Sequence, residues 1–187
     1  MQEVTITIRF NRVCLGAAKK RRHGQVIFCF ERDPDERVMF MSSAWLACMR
    51  HAAKIANRHH SEVKKIDWCP VILGEPRPDW RRTILTPNNS GGMRSHYALH
   101  EAFRPGDTIV VSAVLPDEIS LADFNHLLTL VGKYRGFSPF NNNQDKYGTF
   151  EVLSIDPVAG PRAARCHTTK PATASTIRAR VAARPVL

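Results

Sequence analysis

Several features are scarce in this 187-residue sequence, and each scarcity excludes something. No run approaches the roughly 18–20 consecutive apolar residues that a membrane-spanning helix needs. The opening MQEVTITIRFNR mixes charged residues where a signal peptide would carry an unbroken apolar stretch. The expected compartment is the cytoplasm, with no membrane partner. Cysteine occurs at Cys14, Cys29, Cys48, Cys69 and Cys166, an odd set without a CxxC, so neither a disulfide framework nor a zinc site is implied. His59 with His60, and His96 with His100, have no cysteine or carboxylate at ligand spacing beside them, so no metal is expected. A P-loop and a GxGxxG fingerprint are both missing, and no cofactor is expected.

Acidic residues are missing from one whole region. From Pro157 to Leu187 there is no Asp, Glu or aromatic residue, while Arg162, Arg165, Lys170, Arg178, Arg180 and Arg184 are all basic. Such a composition cannot bury enough apolar surface to offset the entropy of ordering. The expected organisation is a folded domain over 1–156 and a disordered basic tail over 157–187. Of the net charge of +10, the tail carries six and the domain four. At 43% hydrophobic residues the domain is long enough to bury a core of its own.

Within the domain, Val4, Ile6, Ile8 and Phe10 alternate with polar residues, which predicts a half-buried strand over 2–10. The β-rich runs Gln25–Phe30 and Arg37–Met41 are expected to pair as a hairpin approached by a basic loop, Lys19, Lys20, Arg21, Arg22 and His23. Ser42 and Ser43 are N-cap residues before an apolar stripe that predicts a helix over 43–60, with Arg50, Lys54 and Arg58 on its basic flank. A strand is expected over 69–74 and a long functional loop over 75–106, rich in proline and carrying Trp80, Arg81, Arg82, Arg94 and Tyr97. Another strand follows over 107–115. Ser120 and Asp123 open a helix over 120–131, with Gly132 as its terminal glycine, and a last strand spans 148–155. The order is βαββαβ, so the expected class is α+β: a ferredoxin-like antiparallel sheet with an inserted hairpin and a long loop.

The segment GKYRGFSPFNNNQDKYG (132–148) brackets aromatic rings with Lys133, Arg135 and Lys146 between glycines. Glycine lets a backbone approach a partner closely, rings stack on bases, and Lys or Arg neutralises phosphate. Phe140 and Tyr147 could equally serve the core. Gly132, Tyr134, Gly136, Tyr147, Gly148, Phe150 and Val152, with Arg135 and Pro139 among them, resemble the glycine-rich loop of the RAMP superfamily, the RNA-binding proteins of CRISPR effector complexes. Small phage-encoded proteins carry a similar ending. The resemblance implies that Lys133, Arg135, Gly136 and Lys146 lie at a phosphate-binding surface, and the aromatic content of the segment adds Tyr134 and Phe137 as expected nucleic-acid contacts.

Basic residues gather in four segments: 16–24, 75–106, 132–148 and the tail. The expected function is therefore non-catalytic binding of single-stranded RNA or DNA, through phosphate contacts and stacking, within a larger assembly or a homo-oligomer. Two alternatives remain open. One is a structural subunit of a phage or nucleoprotein particle. The other is a metal-independent endoribonuclease, for which His23 and His59 are the candidate general bases.

Overall fold

The computed structural model describes residues 1–22, 25–87, 91–137 and 147–158. In chain order the elements are β1 (Gln2–Phe10), β2 (Cys14–Leu15), β3 (Ala18–Arg22), β4 (Gln25–Cys29), β5 (Glu31–Arg32) and β6 (Val38–Met39). Then come α1 (Ser42–Ile55), α2 (His60–Val63), β7 (Asp67–Trp68), β8 (Arg77–Pro87), β9 (Met93–Phe103) and β10 (Thr108–Leu115). The helix α3 (Leu121–Leu130) continues into a π-helical turn at Val131–Arg135, and β11 (Phe150–Pro157) is the last strand.

Four strands pair antiparallel in the order β11-β1-β10-β7. With α1 between β1 and β7, and α3 between β10 and β11, this is the ferredoxin-like arrangement of two split βαβ units. The alternation in β1 becomes burial, with Val4, Ile6, Ile8 and Phe10 in the core. The helices supply the facing layer. Trp45, Met49, Ala52 and Ala53 of α1 pack with Phe124, Leu127 and Leu128 of α3 over the sheet. Trp45 stacks on Trp68 of β7, ring centroids 4.2 Å apart and nearly parallel.

A second sheet leans on the first. β9 carries β8 along one edge, and β2 and β4 along the other, with β3 outermost beside β4. Glu101 of β9 ties it down: its carboxylate accepts the Phe30 N–H at 2.9 Å and an Arg32 guanidinium N–H at 2.9 Å.

Several expectations are corrected. Residues 75–106 form not a long loop but a β8–β9 hairpin in continuous register from Trp80↔His100 to Pro87↔Met93. The prolines that suggest a loop are placed where a strand tolerates them: Pro78 at the irregularity between Arg77 and Trp80, and Pro87 as the last residue. Gln25–Cys29 pairs with Ala18–Arg22, so Lys19–Arg22 is a strand rather than an approach loop. The run Arg37–Met41 contributes only Val38 and Met39, opposite Arg32 and Glu31. The tight link between them uses Asp33, whose Oδ1 accepts the N–H groups of Asp35 and Arg37.

The first helix stops at Ile55, because Asn57 turns left-handed at φ 53°, and a separate short α2 follows. Met41 precedes it as the N-cap residue, with no side-chain cap, and the Ser42 hydroxyl donates instead to the Trp68 carbonyl. The strand expected over 69–74 is reduced to isolated bridges at Val71 and Leu73, and the paired residues Asp67–Trp68 lie just before it, as Pro70 cannot donate to a ladder. Gly132 does not end α3. The chain winds on through the π turn, and Gly136 at φ 67° ends it. The last strand runs to Pro157, and the Val158 N–H reaches the Glu3 carbonyl, two residues past the expected domain boundary. The expectation for the tail from 159 onward, like those for His23 and Lys146, lies outside the described residues.

Candidate nucleic-acid interface

The glycines of the π turn have a geometric reason. A Cβ on Gly132 would collide with the Phe150 carbonyl oxygen. A Cβ on Gly136 would sit 2.5 Å from the Tyr147 carbonyl oxygen, and its φ of 67° with ψ of 179° belongs to glycine alone. The neck of the segment is stitched by backbone hydrogen bonds: Gly136 N–H to Val131 O at 2.8 Å, Phe137 N–H to Gly148 O at 3.0 Å, and Gly148 N–H to Val13 O at 2.7 Å. The Cys48 thiol of α1 donates to the Gly136 carbonyl at 3.4 Å, tying the neck to the helix.

Held this way, five consecutive residues divide cleanly. Lys133, Tyr134 and Arg135 are exposed, while Gly136 and Phe137 are buried. The Lys133 ammonium lies 5.2 Å from the centroid of the Tyr134 ring. Arg135 reaches the Cys48 sulfur. Burial pushes that thiol up to about 11, and the guanidinium pulls against the rise by charge and hydrogen bond. Phe137, expected beside the phosphate surface, belongs to the core. It is stacked on Phe150 at 4.7 Å and set edge-on to Trp45 at 3.6 Å. Tyr147 is half-buried against Val13, Leu15 and Ala102.

The basic flank of α1 begins beside this neck. Ala47, Arg50, His51 and Lys54 follow one another at helical spacing and are all exposed, so they form a stripe along the helix. At its far end His60 sits among cations. Loss of hydration, then the charges of His59, Lys64 and Arg50, hold its imidazole below the ordinary range. Arg58 is spoken for structurally, at 2.5 Å from Asp123 of α3 and 3.8 Å from Glu62. His59, a candidate general base, is the N-cap of α2. Its Nδ1 lies 2.6 Å from the Ser61 hydroxyl and accepts the Ser61 N–H at 3.3 Å, so the ring is engaged in local structure.

The remaining basic residues lie on the second sheet. Lys19 and Lys20 are exposed on β3, and Arg21 and Arg22 continue the same strand. Arg81 is exposed and Arg82 half-buried on β8, with Arg94 exposed opposite Thr86 on β9. Exposed Met93 and Tyr97 accompany them. The π turn and α1 are thus brought together, whereas the hairpin cations form a separate surface. Sequence reasoning missed a cavity of about 310 Å³ where β2, β4–β6, the first turns of α1 and the π turn meet. Its lining residues come from four distant stretches of chain, so no local pattern announces it. Among the described residues no three or more His, Cys, Asp or Glu side chains gather as a metal site requires, and no helix is long and apolar enough to cross a membrane.

No protein-family model matches the chain, and no curated protein does. Solved structures do. A chain in the cryo-EM structure of the Type III-B Cmr-beta bound to cognate target RNA superposes with a TM-score of 0.56 at 12% identity, covering 84% of this chain and 60% of that one. This chain therefore spans less than two thirds of that neighbour's length. A chain of a Type IV-B CRISPR complex gives 0.47 at 11% identity, over 91% of this chain and 99% of that one. Oligomeric Cmr4 from Pyrococcus furiosus gives 0.43 at 9%, over 86% and 100%. The first likeness establishes the fold.

Proposed function

We propose, from the RAMP-like ferredoxin fold, that this chain is a non-catalytic RNA-binding subunit of a CRISPR-type ribonucleoprotein assembly. The observation that carries the reading is the π turn. It presents Lys133, Tyr134 and Arg135 outward from a neck that glycine and backbone hydrogen bonds hold rigid. Cations at fixed positions neutralise phosphates without paying ordering entropy on binding, and an exposed ring beside them stacks on any base. The α1 stripe of Arg50, His51 and Lys54 extends the track, and the β8–β9 hairpin adds a second basic surface for a strand or a neighbouring subunit. Recognition of this kind follows the backbone and is tolerant of sequence.

RNA is favoured over DNA because a neighbour of the same fold is a chain of a complex bound to cognate target RNA. The test is the nucleic acid that copurifies with the full chain. RNA that ribonuclease digests and deoxyribonuclease spares is the expected result. A protein that emerges free of nucleic acid and binds no RNA strand at low salt contradicts the reading.

A further inference from the structure

The cavity beside the π turn is built for a flat apolar group next to an anion. Phe30, Phe40 and Phe137 give it aromatic walls, Met39 and Ala47 close its sides, and it opens to solvent. The three rings are packed among themselves, Phe30 to Phe40 at 5.4 Å and Phe40 to Phe137 at 5.8 Å, so the walls are fixed. At about 310 Å³ it stands at the small end of ligand-binding sites, where the occupant is one ring system rather than an extended molecule. Arg135 also lines it, and the same Arg135 belongs to the exposed basic face of the turn.

We infer that this cavity receives one unstacked nucleobase of the bound strand, whose own phosphate lies on Arg135. The inference rests on the strand-binding reading above and adds a base-holding pocket to it. A base is planar and largely apolar on its faces, which suits the phenylalanine walls. Its edge needs hydrogen-bond partners, for which Arg135 is a donor and Glu31, the one carboxylate on the lining, an acceptor. The obvious rival is an apolar side chain from the hairpin of a second copy, where Met93 and Tyr97 are exposed. That hairpin brings Arg81, Arg94 and His96 with it, so its approach sets cations against Arg135. A nucleotide supplies the opposite charge.

Ala47 is exposed on α1 and lines the cavity, so Ala47→Phe fills the space without entering the core. The experiment measures affinity of the full chain for a short oligoadenylate RNA and for a same-length strand with abasic sites. Wild type is expected to prefer the intact strand by roughly 5- to 150-fold, the range for one or more held bases. Ala47→Phe is expected to remove about fivefold or more of that preference by the same measure, with abasic-strand affinity and the melting curve unchanged. A 2-aminopurine strand on wild type gives a second reading, in which emission shifts as the base leaves water. A preference untouched by Ala47→Phe, an equal loss on both strands, or an unshifted probe overturns the inference while strand binding stands. So does dissociation of an oligomer by Ala47→Phe with the base preference intact, which assigns the cavity to a second copy. If wild type binds neither strand at low salt, the strand-binding reading falls and takes the pocket with it.

Discussion

The two sheets treat the same strand alternation differently. Along β1 and β10, alternate residues go fully into the core from one end to the other, as in Val4 to Phe10 and Ile109 to Leu115. Along β9 burial begins only at Ala98, and Met93 to Tyr97 are all exposed. The difference separates packing from recognition. Several cations of the first sheet and its helices are matched across elements, as in Arg9 with Glu151, Arg58 with Asp123, and Lys65 with Glu118, while Arg50 and Lys54 stand exposed on α1. Those at the base of the second sheet are matched too, Arg77 with Asp107 and Arg104 with Asp79. Farther out on the hairpin, and on the π turn, Arg81, Arg94, Lys133 and Arg135 are exposed, and the sequence carries no Asp or Glu over 80–97 or 131–137. Binding energy is therefore expected from the outer hairpin, the α1 stripe and the π turn, and folding energy from the rest of the body.

The segment from the π turn to Phe137 is where the comparison can be broken most sharply, because Lys133 to Phe137 hold both roles in five residues. Phe137→Ala removes a fully packed ring and should cost about 3–5 kcal/mol of stability. Chemical denaturation of that variant should show the loss before any binding assay is interpretable. Gly136→Ala forces a Cβ into a glycine-only conformation against the Tyr147 carbonyl. A penalty of about 1–3 kcal/mol is expected for the backbone conformation alone, read as a lower melting temperature together with weaker RNA binding. Tyr134→Ala, one step outward, should leave melting unchanged and cost ~1–3 kcal/mol of strand affinity. If Tyr134→Ala melts early and Phe137→Ala does not, the division of the turn is wrong.

The smallest effect concerns pH. His60 titrates below the ordinary imidazole value because of lost hydration and the cations His59, Lys64 and Arg50 around it. In the free protein its folded pKa is depressed, so the unfolded chain takes up the proton first. Its contribution to stability is full above about pH 6.5 and declines as pH falls through the window beneath. A phosphate on the same patch reverses the field and raises the pKa, so strand binding should take up a proton. Affinity should then rise modestly as pH falls from about 7 to about 6. Truncation after Val158 tests the remaining basic segment: the fold should survive, and affinity at low salt should drop.

Much of the body was legible because its elements are local. Period-two burial in β1, and the Ser120–Asp123 cap that opens α3, each speak within a few residues. The hairpin was obscured by four prolines between 75 and 106, although Trp80 to Pro87 and Met93 to His100 pair throughout. A proline at an irregularity or at a strand end reads the same in sequence as one that breaks a strand. The glycine-rich segment stood out in sequence as a candidate site, yet the side of the neck on which each ring falls did not. Tyr134 lies in the π turn and Phe137 just past its closing Gly136, and no amphipathic pattern encodes that winding. The cavity was out of reach, because Phe30, Phe40, Ala47 and Arg135 meet only through the tertiary fold.

The central claim is that a rigid, glycine-necked turn grips RNA by its phosphates. Its most direct test is the salt dependence of oligoadenylate binding by wild type and by Arg135→Ala. The wild-type association constant should fall steeply on a log–log plot against salt, by ~0.7 per phosphate contact on a single strand. Arg135→Ala should bind more weakly at low salt, with the slope shallower by about one such step. A wild-type affinity that does not move with salt, or an Arg135→Ala slope identical to wild type at equal affinity, contradicts the account.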